Sequence, residues 1–200
     1  MSITGILLAA GHSRRFGSDK LRHPLAEGVP VAVAAARRLS AAVDNTLAVV
    51  RPASTELADL LRSEGVQIVT CADAEMGMGA SLACGVKASL NAQAWVIALA
   101  DMPVIQSVTI QRLVTLLRQG AAIVAPHYQG QRGHPVGFSQ PFGAQLSRLT
   151  GDTGARALLQ QYHAQVTLFS CDDAGILMDI DTPQEVQRID GWFGWVSTAD

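Results

Sequence analysis

Short apolar runs alternate with amphipathic segments along most of the chain. Ile3–Leu8 reads as a buried strand, and the alanine-rich residues 31–43 read as a helix. Residues 46–50 form a β-branched strand, after which Ser54 can cap a helix running to about Glu64. Residues 66–70 predict a strand, 80–90 a helix and 94–100 a strongly buried strand. Ser107 can cap a helix to about Gln119, with Gly120 ending it, and 123–126 form another strand. From Tyr128 to Gly137 the rhythm breaks into an irregular loop or hairpin, with Gly130 and Gly133 as turn residues. Val166–Ser170 and residues 177–180 read as late strands. Thr182 then stands as N-cap and Pro183 as first residue of a final helix.

This βαβ rhythm predicts an α/β fold: a mostly parallel sheet covered on both faces, with right-handed crossovers. Ligands in such sheets collect at the carboxyl ends of the strands. The loops after Leu8, Thr70 and Ala100 fall there. Residues 1–190 fit one Rossmann-like, three-layer domain. Residues 191–200 form a tail with two tryptophans and a phenylalanine and no evident task.

Composition narrows the classes. The 200 residues are 48% hydrophobic and only 16% charged, with a formal net charge of −2. That balance argues against a nucleic-acid partner, which demands a basic face. The basic residues instead concentrate early, as Arg14, Arg15, Lys20 and Arg22 against Asp19, which suits a small anionic ligand. Cys71, Cys84 and Cys171 form no C-x-x-C pair and are expected to stay reduced. No basic region precedes the short apolar run 6–10, and no stretch is long enough to span a bilayer. The expected location is therefore the cytoplasm, away from any membrane.

The most informative segment follows the first strand: Leu8-Ala-Ala-Gly-His-Ser-Arg-Arg-Phe-Gly-Ser-Asp-Lys-Leu21. Small residues at Ala9, Ala10 and Gly11 let backbone N–H groups approach an anion. Arg15 can meet phosphate with a planar fork and Lys20 with a point charge. The loop is neither G-x-x-x-x-G-K-[ST] nor G-x-G-x-x-G. Without the latter fingerprint, a dinucleotide-dependent oxidoreductase is disfavoured. Asp101 ends the strand 94–100 and Pro103 fixes the chain beyond it, so its carboxylate can hold Mg²⁺ at the sheet mouth or cap a helix. Asp179 and Asp181, if extended, point to one face, where a cation or basic partner must separate them; alternatively one of them caps the helix at Pro183. Met76-Gly-Met-Gly-Ala-Ser-Leu82 is a glycine-rich helix entry in which Ser81 can bond a ligand or cap. His134 can titrate near neutral pH. Asp152 can cap a helix whose N-terminus, with Arg156, receives a phosphate. His12, His23, His127 and His163 show no metal-site spacing, and no Ser-His-Asp, G-x-S-x-G or Cys-His nucleophile is present.

The 8–21 loop closely resembles the signature L-A-A-G-x-S-x-R-[MF]-G-x-x-K-L of the MobA-like nucleotidyltransferases. Its Ala-Ala-Gly form is similar to the molybdenum cofactor cytidylyltransferase (MocA-like) branch; the guanylyl-transferring branch usually carries Ala-Gly-Gly. Leu99-Ala-Asp-Met-Pro-Val104 resembles the family's metal motif. Met178-Asp-Ile-Asp-Thr-Pro183 resembles D-[IV]-D-T-P-E-D, with Gln184 and Glu185 departing from it. Arg132-Gly-His-Pro135 and Gly151-Asp-Thr-Gly-Ala-Arg156 match R-G-H-P and G-D-x-G-A-R. The resemblance runs from Ile3 to about Ile189.

It implies transfer of CMP from CTP to the terminal phosphate of molybdenum-bearing molybdopterin, with release of pyrophosphate. Arg15, Lys20 and Asp101 would be catalytic, and Leu8, Ala9, Ala10, Gly11, Arg15, Lys20, Gly79 and Ser81 would hold the nucleotide. Arg132, His134, Asp152 and Arg156 would face the acceptor. Asp101 with Asp181, or else Asp179, would hold Mg²⁺, with Mn²⁺ as a substitute. A client molybdoenzyme would be the partner. GTP, another phosphate acceptor such as a sugar phosphate, or a non-catalytic carrier role remain as alternatives.

Overall fold

The computed structural model describes residues 1–11, 16–17, 19–26 and 28–196, with side chains followed as far as Ile189. Arg15 lies outside the described residues, as do His12, Ser13, Arg14 and Ser18. The strands are β1 Ile3–Leu8, β2 Asn45–Val50, β3 Gln67–Thr70, β4 Ala94–Leu99, β5 Ile123–Tyr128, β6 Gln131–Arg132, β7 Val136–Ser139 and β8 Val166–Ser170. The helices are α1 Val31–Ser40, α2 Thr55–Ser63, α3 Met78–Lys87, α4 Ser107–Arg118, α5 Gly143–Leu146, α6 Arg156–Gln161 and α7 Pro183–Val196.

Strands β3, β2, β1 and β4 lie side by side in parallel. Antiparallel β7 joins β4 to β5, and β8 pairs with β5 in parallel. Ile123 pairs with both Phe138 and Val166, and His127 with both Arg132 and Ser170. Strands β6 and β7 therefore share one edge of β5, opposite β8. The predicted break after Tyr128 is a tight hairpin, with Gln129 at φ 48° and Gly130 at φ 80°, as a two-residue turn between twisted strands requires.

Alternation along the strands sorts the core onto two faces. Ile3, Leu7, Ala48, Val50, Val96 and Ala98 pack with apolar residues of α1, α2, α4 and α7. Ile6, Leu47, Val49, Trp95 and Ile97 pack with those of α3, α5 and α6. Covering both faces makes the strands continuously apolar, which is why they were legible as runs. Among the described residues no helix is long and apolar enough to cross a membrane.

Several expected boundaries shift. Helix α1 stops at Ser40, and α3 runs from Met78 to Lys87, leaving Leu90 62% exposed beyond its end. Ser54 sits at the α2 N-cap without a side-chain cap bond. Ser107 is the first helical residue of α4 rather than its cap. That end is closed from a distance by Asp173, whose Oδ2 accepts from the Gln106 N–H at 2.9 Å and the Thr109 hydroxyl at 2.7 Å. Residues 177–180 are not a strand. Asp173 also accepts the Gly175 N–H and winds Ala174–Leu177 into a 3-10 turn. Ile176 and Ile180 are buried by packing, not by pairing, and the Ile180 N–H donates to the Asp101 carbonyl at 3.0 Å. At α7 the Glu185 carboxylate folds back over the helix start and accepts from the Thr182 N–H and hydroxyl, while the Glu185 N–H donates to the Thr182 backbone carbonyl.

Candidate functional site

The chain passes from β1 to β2 and β3 on one side and to β4 on the other, so a crevice opens between the carboxyl ends of β1 and β4. A cleft of two adjoining lobes lies there. The first, about 560 Å³, is lined by Leu8, Ala10, Gly11, Ala74, Glu75, Gly77, Met78, Ser81, Leu99, Asp101 and Asp152. The second, about 450 Å³, includes Arg132, Gly133, His134, Asp152, Thr153 and Arg156 over an apolar floor of Leu82, Ile97, Val136 and Phe138. Leu8, Met78, Leu99 and Asp152 border both.

This geometry sorts the residues selected from sequence. Leu8, Ala10, Gly11, Ser81 and Asp101 share the first lobe. Arg132 at the end of β6, His134 in the loop after it, Asp152 in the loop before α6 and Arg156 at the start of α6 share the second. Three expectations need correction. The Ala9 N–H is not offered to a ligand, because it donates to the Val49 carbonyl at 2.9 Å and the residue is buried in the sheet. Gly79 does not open space for a ligand. Its N–H donates to the Gly151 carbonyl at 2.7 Å, and a Cβ there would stand 2.5 Å from the Thr150 carbonyl oxygen. The glycine-rich entry thus docks against the loop 150–152. Asp152 does not cap a helix either: α6 begins at Arg156 with Ala155 at its N-cap.

Ser81 is buried beneath the first lobe and its hydroxyl donates to the Gly77 carbonyl at 3.4 Å. Among the described residues, the N–H groups of Ala10 and Gly11 have no hydrogen bond partner. They are the backbone donors that the turn presents at the mouth of β1.

Lys20 lies on a 3-10 turn, Lys20–Arg22, that Asp19 caps by accepting the Leu21 N–H. The buried Leu21 anchors that turn, and Lys20 itself is only 7% exposed. Its ammonium donates to Asp101 Oδ2 at 2.7 Å and to Asp181 Oδ1 at 2.8 Å. Burial pulls the Lys20 pKa down, but Asp101 and then Asp181 outweigh it and hold it above the ordinary lysine value. The sequence reading assigned Lys20 to phosphate; here its charge neutralises an acid pair. The structure also separates the two late aspartates. Asp181 joins Asp101 on the ammonium, its own N–H fixed by Glu185 at 2.7 Å. Asp179 is exposed and borders a small cavity with Glu185 and Arg188. Partial loss of hydration raises its pKa, and the Asp101 and Asp181 charges add to the rise.

Whether Asp101 and Asp181 suit a divalent cation can be judged from Lys20. Two carboxylate oxygens already converge on one positive charge, and hard oxygen donors are what Mg²⁺ or Mn²⁺ prefers. Among the described residues no third His, Cys, Asp or Glu completes a protein-only cage.

His134 contributes a buried Nδ1 with no hydrogen-bond partner among the described residues. Burial lowers its pKa and Arg132 adds to the fall, against an opposing pull from Asp101. Its imidazole therefore favours the neutral form more than an ordinary histidine does. The His134 backbone N–H donates to the Ile176 carbonyl at 3.0 Å, and Gly133 presses so closely on Ile176 that a side chain would clash.

Sequence reasoning missed Met78, which is 42% exposed and borders both lobes, because a methionine entering a helix reads as core. It also missed Asp173, although Asp-Ala-Gly at 173–175 carries the signal of a side chain bonding the backbone two residues on.

The comparisons with known proteins agree with this geometry. Purine catabolism protein PucB of Bacillus subtilis is 34% identical over 94% of this chain and 95% of its own length. Nicotine blue oxidoreductase of Paenarthrobacter nicotinovorans is 29% identical over 94% of this chain and 96% of its own. The crystal structure of Rv0371c from Mycobacterium tuberculosis superposes with a TM-score of 0.84 at 27% identity, over 95% of this chain and 97% of that one. These relatives support the MocA-like branch. The model of the MobA-like NTP transferase domain matches residues 5–166, and the chain belongs to that family.

Proposed function

We propose that this protein transfers CMP from CTP to the terminal phosphate of molybdenum-bearing molybdopterin, releasing pyrophosphate. The observation that carries this reading is the division of the cleft. One lobe offers backbone donors and a carboxylate at the strand ends; its neighbour offers two arginines over an apolar floor, suited to an anionic, ring-bearing acceptor.

In this mechanism the Ala10 and Gly11 N–H groups and Arg15 hold the triphosphate. Asp101 and Asp181 hold the divalent ion, which supplies charge neutralisation to the phosphates when bound. Rv0371c has also been solved in complex with manganese. Arg132 and Arg156 orient the acceptor phosphate, and the neutral His134 offers it a hydrogen bond. That phosphate is anionic at neutral pH, so no protein base is needed. Its oxygen attacks the α-phosphorus in line as the bond to pyrophosphate breaks. Catalysis is positioning and electrostatic stabilisation.

The test is pyrophosphate release with each ribonucleoside triphosphate and Mg²⁺, with and without molybdenum-loaded molybdopterin. Release with CTP alone, and only with the acceptor, is expected. Release with GTP or with a sugar phosphate would keep the family and change the substrate. The relative bearing an oxidoreductase name raises a second reading. NADH and NADPH titration tests it, and no binding is expected because the loop lacks G-x-G-x-x-G.

A further inference from the structure

The acid pair described above already has a cation. Asp101 Oδ2 and Asp181 Oδ1 lie 2.7 and 2.8 Å from the same lysine nitrogen, and neither carboxylate is deeply buried, whereas the lysine is. The three groups come from separate parts of the chain, and each is fixed independently. Lys20 is set by its capped turn, Asp101 by the Ile180 N–H on its carbonyl, and Asp181 by Glu185 on its N–H. A divalent ion held by the same two oxygens would stand beside the ammonium, and like charges at that separation repel strongly.

We propose that Lys20 is the resident counter-cation of the Asp101–Asp181 pair, and that a divalent ion enters only by displacing it toward the triphosphate. Metal and nucleotide then bind together, because the phosphates receive the ammonium that the carboxylates release. The nucleotide half of this inference rests on the nucleotidyl-transfer reading; the displacement half does not. Asp101 borders the nucleotide lobe, so an ammonium leaving it faces the space the phosphates would fill. Lys20 thereby prevents the nucleotide-free protein from holding a metal ion tightly.

The experiment measures Mn²⁺ binding by electron paramagnetic resonance without nucleotide or acceptor. The wild type is expected to bind weakly, and Lys20→Met at least about tenfold more tightly. Lys20→Met combined with Asp101→Asn is expected to lose that gain. Arg22→Gln, which removes a charge from the same turn, is expected to change affinity less than about twofold. Unchanged affinity in Lys20→Met, a gain that survives Asp101→Asn, or an equal gain in Arg22→Gln would each overturn the proposal. If Lys20→Met does not fold, the wild type decides. Acylation of Lys20 by an amine-reactive ester, followed by mass spectrometry, should accelerate several-fold at saturating Mn²⁺; an unchanged rate refutes displacement. Neither arm uses CTP or molybdopterin, so each stands if the substrate assignment fails.

Discussion

The two lobes of the cleft are built by opposite means. The first rests on the ends of parallel strands β1 and β4, locked in register from Ile3 with Ala94 to Leu8 with Leu99. Its key groups are backbone donors and carboxylates tied into the sheet. The second is assembled from the short strand β6 and the loop after it, and from the residues leading into and opening the short helix α6. It presents long, exposed side chains, Arg132 and Arg156. A strand-end site tolerates little change, because moving one group moves the sheet. A loop-borne site can be rebuilt one side chain at a time. On the proposed function, the nucleotidyl-transfer chemistry would belong to the first lobe and the choice of acceptor to the second.

Breaking the first lobe should have the largest effect. Asp101→Asn removes one of the carboxylates that Lys20 donates to, and on the proposed function it removes an oxygen that would hold the metal. Turnover by pyrophosphate release should fall by about a thousandfold or more. Next comes the seam between the lobes. Gly79→Ala forces a Cβ onto the Thr150 carbonyl, and backbone cannot yield as a flexible side chain can. A loss of about 1–3 kcal/mol in urea unfolding is expected, with both lobes impaired together.

The second lobe should show a narrower response. Arg132→Ala is expected to raise the acceptor KM about tenfold while leaving the nucleotide KM unmoved. An equal rise in both would erase the proposed division of labour. The smallest effect concerns His134, whose folded pKa lies below the ordinary histidine value because it is buried. The unfolded chain then binds more protons in that interval. Stability is full above the ordinary value of 6.5 and declines as pH falls through it toward the folded value. The urea midpoint should drop between about pH 7.5 and about pH 5.5, and His134→Gln should flatten that limb.

Much of the parallel half was legible in the sequence. Strands covered on both faces must be apolar throughout, so Ile3–Leu8 and the run at 94–100 announce themselves locally. The turn after Leu8 and the acid after Ala100 follow from where those strands end. The late segment was not legible in the same way. Residues 177–180 have the apolar content of a strand, but Asp173 winds the turn before them and Ile180 bonds to Asp101 instead of to a neighbouring strand.

Sequence alone thus determined the α/β class, the family loop and the chemical types gathered near the sheet mouth, because these depend on local periodicity and on residue identity. Tertiary structure alone decided that Asp181 rather than Asp179 meets Lys20, and that Gly79 serves a loop rather than a ligand. It also decided that Arg132 and Arg156 face one space. Those outcomes depend on contacts such as Lys20 with Asp101 and Asp181, 81 and 161 residues apart. Pairing at that separation is set by how the whole sheet brings strand ends together, and no local pattern encodes it.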